Sequence, residues 1–497
     1  MATLEQLKDT LQAFHDLESL REKWTAAGQG QCLQFADALD TAAQARLLDQ
    51  LRSIDPAKAS AMYARAKQPQ QDAGAPEPLA DDAIARLATT EQSKRDAWRT
   101  CGLEACARGE VAILLLAGGQ GTRLGFDKPK GMYDVGLPSR KSLFRLQGER
   151  LLALERSSGA QPGAIPWYVM TSAATDRETK DYFRKQSCFG LRASQVFFFE
   201  QGVAPAFLDN GTIALETSSR VVVAPNGNGG VYDALQDSGA SQDMRTRGIK
   251  HIYQYCVDNA LVKIGDPEFI GFCSSENADC ASKVVPKRGP HEKVGVLARV
   301  DGRVRVVEYS EISRDLAEKV DLYSGRLLFG ASHICVNYFS MKFLEKCITL
   351  VEKMPSHVAH KKIPHVGELK PLTPNGVKLE LFIFDTFPFA ERFRVLEGSR
   401  GDDFAPVKNA PGPGSKDSPD TARELLLARD RRWLVAAGAR VGDFVEVASS
   451  LSYDGEGLAG FDGAVVAGGV VARAPVAFSP VYVVAVAAVL GALVLTS

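Results

Sequence analysis

The sequence predicts an α/β fold: a three-layer domain preceded by a helical region and followed by a smaller C-terminal domain. Short, wholly apolar runs carry the prediction. Residues 111–116 (VAILLL) run straight into glycines, as a strand buried on both faces of a parallel sheet does. Similar runs recur at 167–170, 196–199, 252–257 and 269–272. Polar, helix-permitting stretches such as 142–156 and 175–185 lie between them, an alternation that argues for right-handed crossovers.

In chain order, Leu4, Leu7, Leu11, Phe14 and Leu17 recur at three- and four-residue steps with Trp24 extending the stripe, and Leu47, Leu48 and Leu51 share one side of 42–54. Both patterns predict amphipathic helices. Residues 68–78 (QPQQDAGAPEP) read as a linker. Residues 294–300 and 304–307, split by Asp301-Gly302, predict an antiparallel hairpin, and 377–384 a further strand. The Pro/Gly loop 410–420 announces the last domain. The division expected is 1–105 helical, 106–400 the main α/β domain, and 401–497 a small C-terminal domain with an apolar tail. In that tail 481–495 is continuously apolar or small. It admits a membrane anchor over 474–495, if Pro475 and Pro480 are tolerated, a pair of Val-rich buried strands, or a tail altered at the gene level.

Composition narrows the function. The 59 Lys+Arg against 60 Asp+Glu exclude a polybasic nucleic-acid binder, so any anion site is a local cluster of cations. Nine scattered cysteines without a CxxC pair exclude a disulfide framework and a zinc spacing, and suit a reducing, cytoplasmic compartment. His357, His360 and His365 lack the HExxH arrangement and read as structural.

The strongest local signal is 114–131 (LLLAGGQGTRLGFDKPKG), where a buried strand enters Gly118, Gly119, Gly121 and Gly125. Glycines there permit φ > 0 and close approach of main-chain amides to an anion. The spacing G-x-G-x-x-x-G is not the dinucleotide fingerprint, and Lys130 followed by Gly131-Met132 is not a Walker A loop. What remains is a glycine loop with two cations, Arg123 as a planar fork and Lys130 as a point charge, suited to phosphate. Asp258, closing the apolar run 252–257, has the position of a strand-end Mg²⁺ ligand or of a turn cap.

The string LAGGQGTRLG…PKGMYDVGLPS resembles the signature of the eukaryotic-type UDP-N-acetylhexosamine pyrophosphorylases, within the larger uridylyltransferase family. The likeness continues in order to residue 408 through PWYVMTSAAT, FFFEQG, APNGNGG, YCVDN, VVEYSEIS, PNGVKLELFIFD and FAPVKNA. It implies a Rossmann-like nucleotidyltransferase sandwich with a helical N-terminal region and a small C-terminal β domain. The implied reaction joins UTP and N-acetylglucosamine 1-phosphate into UDP-N-acetylglucosamine and pyrophosphate, with Mg²⁺ as cofactor.

The same resemblance distributes roles. Leu116, Ala117, Gly118, Gly119 and Gly121 would line the nucleotide, with Arg123 and Lys130 on the departing pyrophosphate. Gln201 and Gly227 would meet the uracil, and Asp258 the α-phosphate side and the metal. Lys378 would approach the nucleotide phosphates. Asn228, Glu308 and Tyr309 would reach the acceptor sugar, and Lys408 would hold its phosphate. Two departures bear on the acceptor: Asn226, where the family commonly has Asp, and Ser332-His333-Ile334 in place of Gly-Asn-Ile. An imidazole beside the sugar could shift preference toward N-acetylgalactosamine.

Overall fold

A computed structural model describes residues 4–67 and 74–473; the linker positions 68–73 and the apolar tail from 474 onward lie outside the described residues. Two units make up the chain. The first is assembled from Met1–Gly74, Gln201–Ala234 and Thr349–Thr386, the second from Ala75–Glu200, Leu235–Ile348 and Phe387–Ser497.

In the first unit the spaced leucines build helices Leu4–Ala26 and Thr41–Arg52, and a third helix, Pro56–Lys67, follows them without a leucine. Side chains of Leu4, Leu7, Leu11 and Phe14 lie outside the described residues, but Leu17, Trp24, Leu47, Leu48 and Leu51 are buried. Asp40 caps the second helix, its Oδ1 accepting from Ala43 N at 2.7 Å. The helices pack on Phe207, Val221, Val377 and Leu379 in one apolar cluster. Gln50 reaches out of its helix to accept from Val221 N (2.9 Å) and donate to Val221 O (3.1 Å), which satisfies a strand end that water would otherwise have to serve. Gly376–Glu380 pairs antiparallel with His357–Lys361 and Phe207–Leu208. The strand expected over 377–384 therefore stops early: Asp385 Oδ2 accepts from Phe382 N at 2.7 Å, and the chain turns into the 3₁₀ segment Ile383–Phe389. His357 lies 2.9 Å from Asp385, an ion-pair geometry and not a metal set.

The second unit is a large mixed sheet. Its strands run in the order Ile84–Arg86, Phe393–Glu397, Cys280–Pro286, Ala331–Ser340, His251–Cys256, Val111–Leu116, Trp167–Thr171 and Val196–Glu200. Pairing along that order is parallel except where Ala331–Ser340 runs against both neighbours. Val111–Leu116 is buried at every position, as its unbroken apolar run demands. The hairpin Val296–Val300 and Arg303–Val307 forms around Asp301 and Gly302, both at positive φ (51° and 72°), the twist that a two-residue turn requires.

Residues 269–272, expected as a strand, lie instead in the helix Pro267–Ser275. Asp266 caps it, with Pro267 in the first turn, so the start signal outweighs a short apolar run whose period does not discriminate. This helix packs against Gln92–Ala107 at backbone distance: a Cβ on Gly102 would collide with Pro267 O, and one on Gly271 with Trp98 O. The three-residue edge strand Ile84–Arg86 interrupts the stretch expected to be helical.

Toward the C-terminus, helix Pro419–Ala436 begins in a capping box on Ser418 and Thr421. Beyond it Arg440–Val441 pairs with Val465–Val466, and Val445–Val447 with Gly469–Val471, around Leu434, Phe461 and Val471. No helix among the described residues is long and apolar enough to cross a membrane.

Candidate functional site

From Val111–Leu116 the chain moves to one side through Trp167–Thr171 and Val196–Glu200, then returns to the other side as His251–Cys256. The strand order therefore reverses at Val111–Leu116, and the crevice beyond the carboxyl ends there is where open α/β sheets hold ligands. Gly118–Gly121 follow one of these strand ends and Asp258 the other. Leu116 O accepts from Val257 N at 3.1 Å, and Ala117 N donates to Met170 O at 2.8 Å, so both strands deliver their following residues to the same place.

The glycine loop folds back on itself. Lys130 N donates to Gly119 O at 3.1 Å and Gly121 N to Lys128 O at 2.9 Å, while Ser172 Oγ holds Gly118 O at 2.8 Å. Of the four glycines only Gly125 takes positive φ (70°). Gly121 is needed for room, since a Cβ would lie 2.8 Å from Phe126, and its N–H is already spent on Lys128 O. Gly119 is exposed with open space around it, the place where main chain is accessible to a ligand. Lys130 Nζ sits 3.8 Å from Asp258 Oδ2, and both side chains keep about a fifth of their surface. Arg123 is exposed on the 3₁₀ turn Thr122–Leu124 of the same loop.

The segment carrying Lys408 is stitched beside Asp258. Val407 N donates to Asp258 O (2.9 Å), Ala260 N to Ala405 O (2.9 Å) and Ala405 N to Asn259 Oδ1 (3.0 Å). Lys408 is close enough to His333 to act on its charge. Burial first, and the Lys408 ammonium with it, pull the imidazole down to about 4, against the lift from its hydrogen bond to Asn337. Asn337 Nδ2 donates to Gln254 Oε1 at 2.6 Å, which leaves its oxygen to accept from His333 Nε2 at 3.2 Å and so fixes the Nε2–H tautomer. Cys256 and Cys335 stand beside this chain as thiols, Sγ to Sγ 3.1 Å, with Cys335 at φ 54° in an irregularity of its strand.

Glu308 closes the hairpin. A Cβ on Gly295 would lie 3.0 Å from Glu308 Oε1, and Gly295 O accepts from the main-chain His333 N at 2.9 Å, so the Glu308 carboxylate and the His333 backbone both adjoin this glycine. Tyr309 is half exposed next to it.

The remaining expected residues belong to the first unit. Gly227, at φ 83°, leaves no room for a Cβ against Leu381 O, and Gln201 Nε2 donates to Gly227 O. Asn228 Oδ1 accepts from Ile383 N at 2.9 Å, which commits that oxygen to holding the turn. Lys378 shares a face of Gly376–Glu380 with Glu380, whose Cβ marks the wall of the Gly227 turn. The Asn226 side chain is buried, and its Oδ1 lacks a hydrogen-bond partner.

Asn259, a residue with no expected role, ties Leu261, Asp403 and Ala405 together through its side chain. An asparagine just past a buried strand end was the available signal. Among the described residues no cluster of three or more His, Cys, Asp or Glu is arranged for a metal, at Asp258 or elsewhere.

The family model described as UTP–glucose-1-phosphate uridylyltransferase matches residues 59–442. A human UDP-N-acetylhexosamine pyrophosphorylase-like protein 1 is 41% identical over 477 residues, spanning 89% of this chain and 94% of its own. The UDP-N-acetylglucosamine pyrophosphorylase of Saccharomyces cerevisiae is 42% identical over 467 residues, spanning 90% and 97%. Among solved structures, the inhibitor complex of the uridine diphosphate N-acetylglucosamine pyrophosphorylase from Trypanosoma brucei superposes with a TM-score of 0.80 at 31% identity, over 89% of this chain and 94% of that one. With a buried strand feeding a glycine loop at the sheet's reversal and this extent of likeness, the chain belongs to the UTP–glucose-1-phosphate uridylyltransferase family.

Proposed function

We propose that this chain is a uridylyltransferase that forms UDP-N-acetylglucosamine and pyrophosphate from UTP and N-acetylglucosamine 1-phosphate, on a Rossmann-like nucleotidyltransferase sandwich. One observation carries the reading: Lys130, Asp258 and the Lys408 segment meet at the carboxyl ends of Val111–Leu116 and His251–Cys256, beside the glycine loop. The names of the relatives supply the substrates.

Two polyanions must meet for this reaction, and the sugar phosphate already carries the attacking oxygen. The protein's task is alignment and charge neutralisation. Leu116, Ala117, Gly118 and Gly119 carry the nucleotide past the strand end, and Gly121 shapes the turn. Lys130 and Arg123 take the charge developing on pyrophosphate. Lys408 holds the incoming sugar phosphate in line, with Glu308 and Tyr309 on the sugar. In the first unit, Gln201 and Gly227 are assigned to the uracil, Lys378 to the phosphates and Asn228 to the sugar. A strand-end carboxylate suits Mg²⁺, which takes few protein ligands and completes its shell with phosphate oxygens and water. Asp258 would hold it, and the ion supplies charge neutralisation at the nucleotide phosphates. The free thiols support the cytoplasm as the place of action.

The test is pyrophosphate release from UTP in the presence of Mg²⁺ with N-acetylglucosamine, N-acetylgalactosamine or glucose 1-phosphate supplied side by side. Turnover highest with N-acetylglucosamine 1-phosphate is expected. No release with any of the three overturns the reading, and a preference for glucose 1-phosphate overturns its sugar assignment.

A further inference from the structure

Lys283 is nearly inaccessible, with 2% of its side chain exposed, and is none of the residues assigned above. Its ammonium bonds Asp266 Oδ2 at 2.7 Å and Asp403 Oδ1. The two carboxylates serve different elements. Asp266 caps helix Pro267–Ser275 through Glu268 N, whereas Asp403 ends the short helix Arg400–Asp403, immediately before the segment that reaches Lys408. From Asp403 onward that segment is anchored at nearly every step. Asp403 O accepts from Asn259 Nδ2 (2.7 Å), Ala405 N donates to Asn259 Oδ1, Val407 N donates to Asp258 O, and Lys408 N donates to Asp417 O (2.7 Å). Gly398 exists to make room: a Cβ there would strike Asp403 Oδ2 and come within 3.1 Å of Lys283 Cε.

Buried ion pairs are poor sources of net stability, because desolvation takes back most of the attraction, yet they fix geometry where only one arrangement satisfies every charge. We infer that Lys283, acting through Asp403, is a positioning residue for Lys408: it sets where the Phe404–Lys408 stretch begins and hence where the Lys408 ammonium meets the sugar 1-phosphate. The inference rests on the reading of Lys408 given under the proposed function.

The experiment compares Asp403→Asn with Asp266→Asn, which removes the other carboxylate from the same ammonium without touching the Lys408 segment. Affinity for N-acetylglucosamine 1-phosphate is read by calorimetry and by KM, and UTP is followed in parallel. Asp403→Asn is expected to weaken the sugar 1-phosphate about tenfold while UTP stays within about threefold; Asp266→Asn is expected to leave both within about threefold. In a Lys408→Ala background Asp403→Asn should add nothing further, since a residue acting only through Lys408 has nothing left to position. Should Asp403→Asn fail to fold, Gly398→Ala displaces the same carboxylate without changing charge and is expected to show the same selective loss. Equal losses in Asp403→Asn and Asp266→Asn, additivity with Lys408→Ala, or sugar 1-phosphate affinity unchanged in Gly398→Ala would each overturn the inference. Wild-type turnover tests the functional reading and the variants' affinity tests this one, so the two fail separately.

Discussion

Lys130 Nζ stands 3.8 Å from Asp258 Oδ2, an ammonium and a carboxylate near enough to balance each other yet outside direct hydrogen-bond contact. Each arrives from a different strand end, and each retains access to solvent. An anion with its own cation can enter such a pair and take a partner from each side.

Lys130→Ala should therefore cost catalysis and spare the fold. A pair beyond hydrogen-bond contact that still meets solvent contributes under about 1 kcal/mol to stability, whereas a cation facing developing pyrophosphate charge is worth on the order of 2–4 kcal/mol, a hundredfold or more in kcat/KM. Continuous pyrophosphate release together with a thermal melt measures both. A rate within a few-fold of wild type would remove Lys130 from the mechanism.

Asp258→Asn should move the metal dependence. With this carboxylate gone, the Mg²⁺ concentration giving half-maximal rate is expected to rise about tenfold or more, and EDTA should abolish wild-type turnover. A magnesium titration of both proteins decides the point, and superimposable curves would exclude Asp258 as a ligand.

Gly102→Ala and Gly271→Ala should each destabilise the protein by about 1–3 kcal/mol or more, although alanine ordinarily favours a helix over glycine. The helices Gln92–Ala107 and Pro267–Ser275 touch through these two positions, and the atoms a methyl would meet are main-chain carbonyls of Pro267 and Trp98 that cannot swing aside. Thermal unfolding reads the effect, and an unchanged midpoint would mean the helices separate freely.

Acid should weaken the fold in two stages. His333 is neutral in the folded chain down to about 4, while the unfolded chain binds the proton near 6.5, so stability falls as pH drops between those values and then levels. Burial works against the Asp266 carboxylate, but Lys283 and Lys263 outweigh it and hold it down at about 2 from an ordinary 3.8; its contribution is lost as pH falls through that lower window. Each stage is on the order of a few kcal/mol. Melting midpoints from pH 7 to 3 should show the first step in the wild type and not in His333→Gln.

Much of this is legible in the amino-acid sequence alone. The run VAILLL could only be a strand buried on both faces, and the glycines after it mark the loop that leaves that strand at the sheet's reversal. Asp301-Gly302 announced its hairpin equally well, because both residues tolerate positive φ. The misreading at 269–272 has a physical origin: four apolar residues carry no usable period, and the informative signal was the Asp266-Pro267 start just ahead of them. Ile84–Arg86 is too short to show alternation, and its partner Phe393–Glu397 lies more than three hundred positions away, so nothing local could reveal the pair. At Gly121 spacing shows that a glycine is required but not whether φ, ligand access or the neighbouring Phe126 requires it.

The strand Phe393–Glu397 lies between Ile84–Arg86 and Cys280–Pro286, filling a slot whose two walls are made much earlier in synthesis. Until residue 397 has left the ribosome, both walls present bare edges with unsatisfied amides, the surface on which nascent chains stick to one another. Production of this protein therefore depends on reaching the last quarter of the message: a chain released before that point is a fragment with an open sheet, and overexpression should be gentler at low temperature or with a holding chaperone at hand.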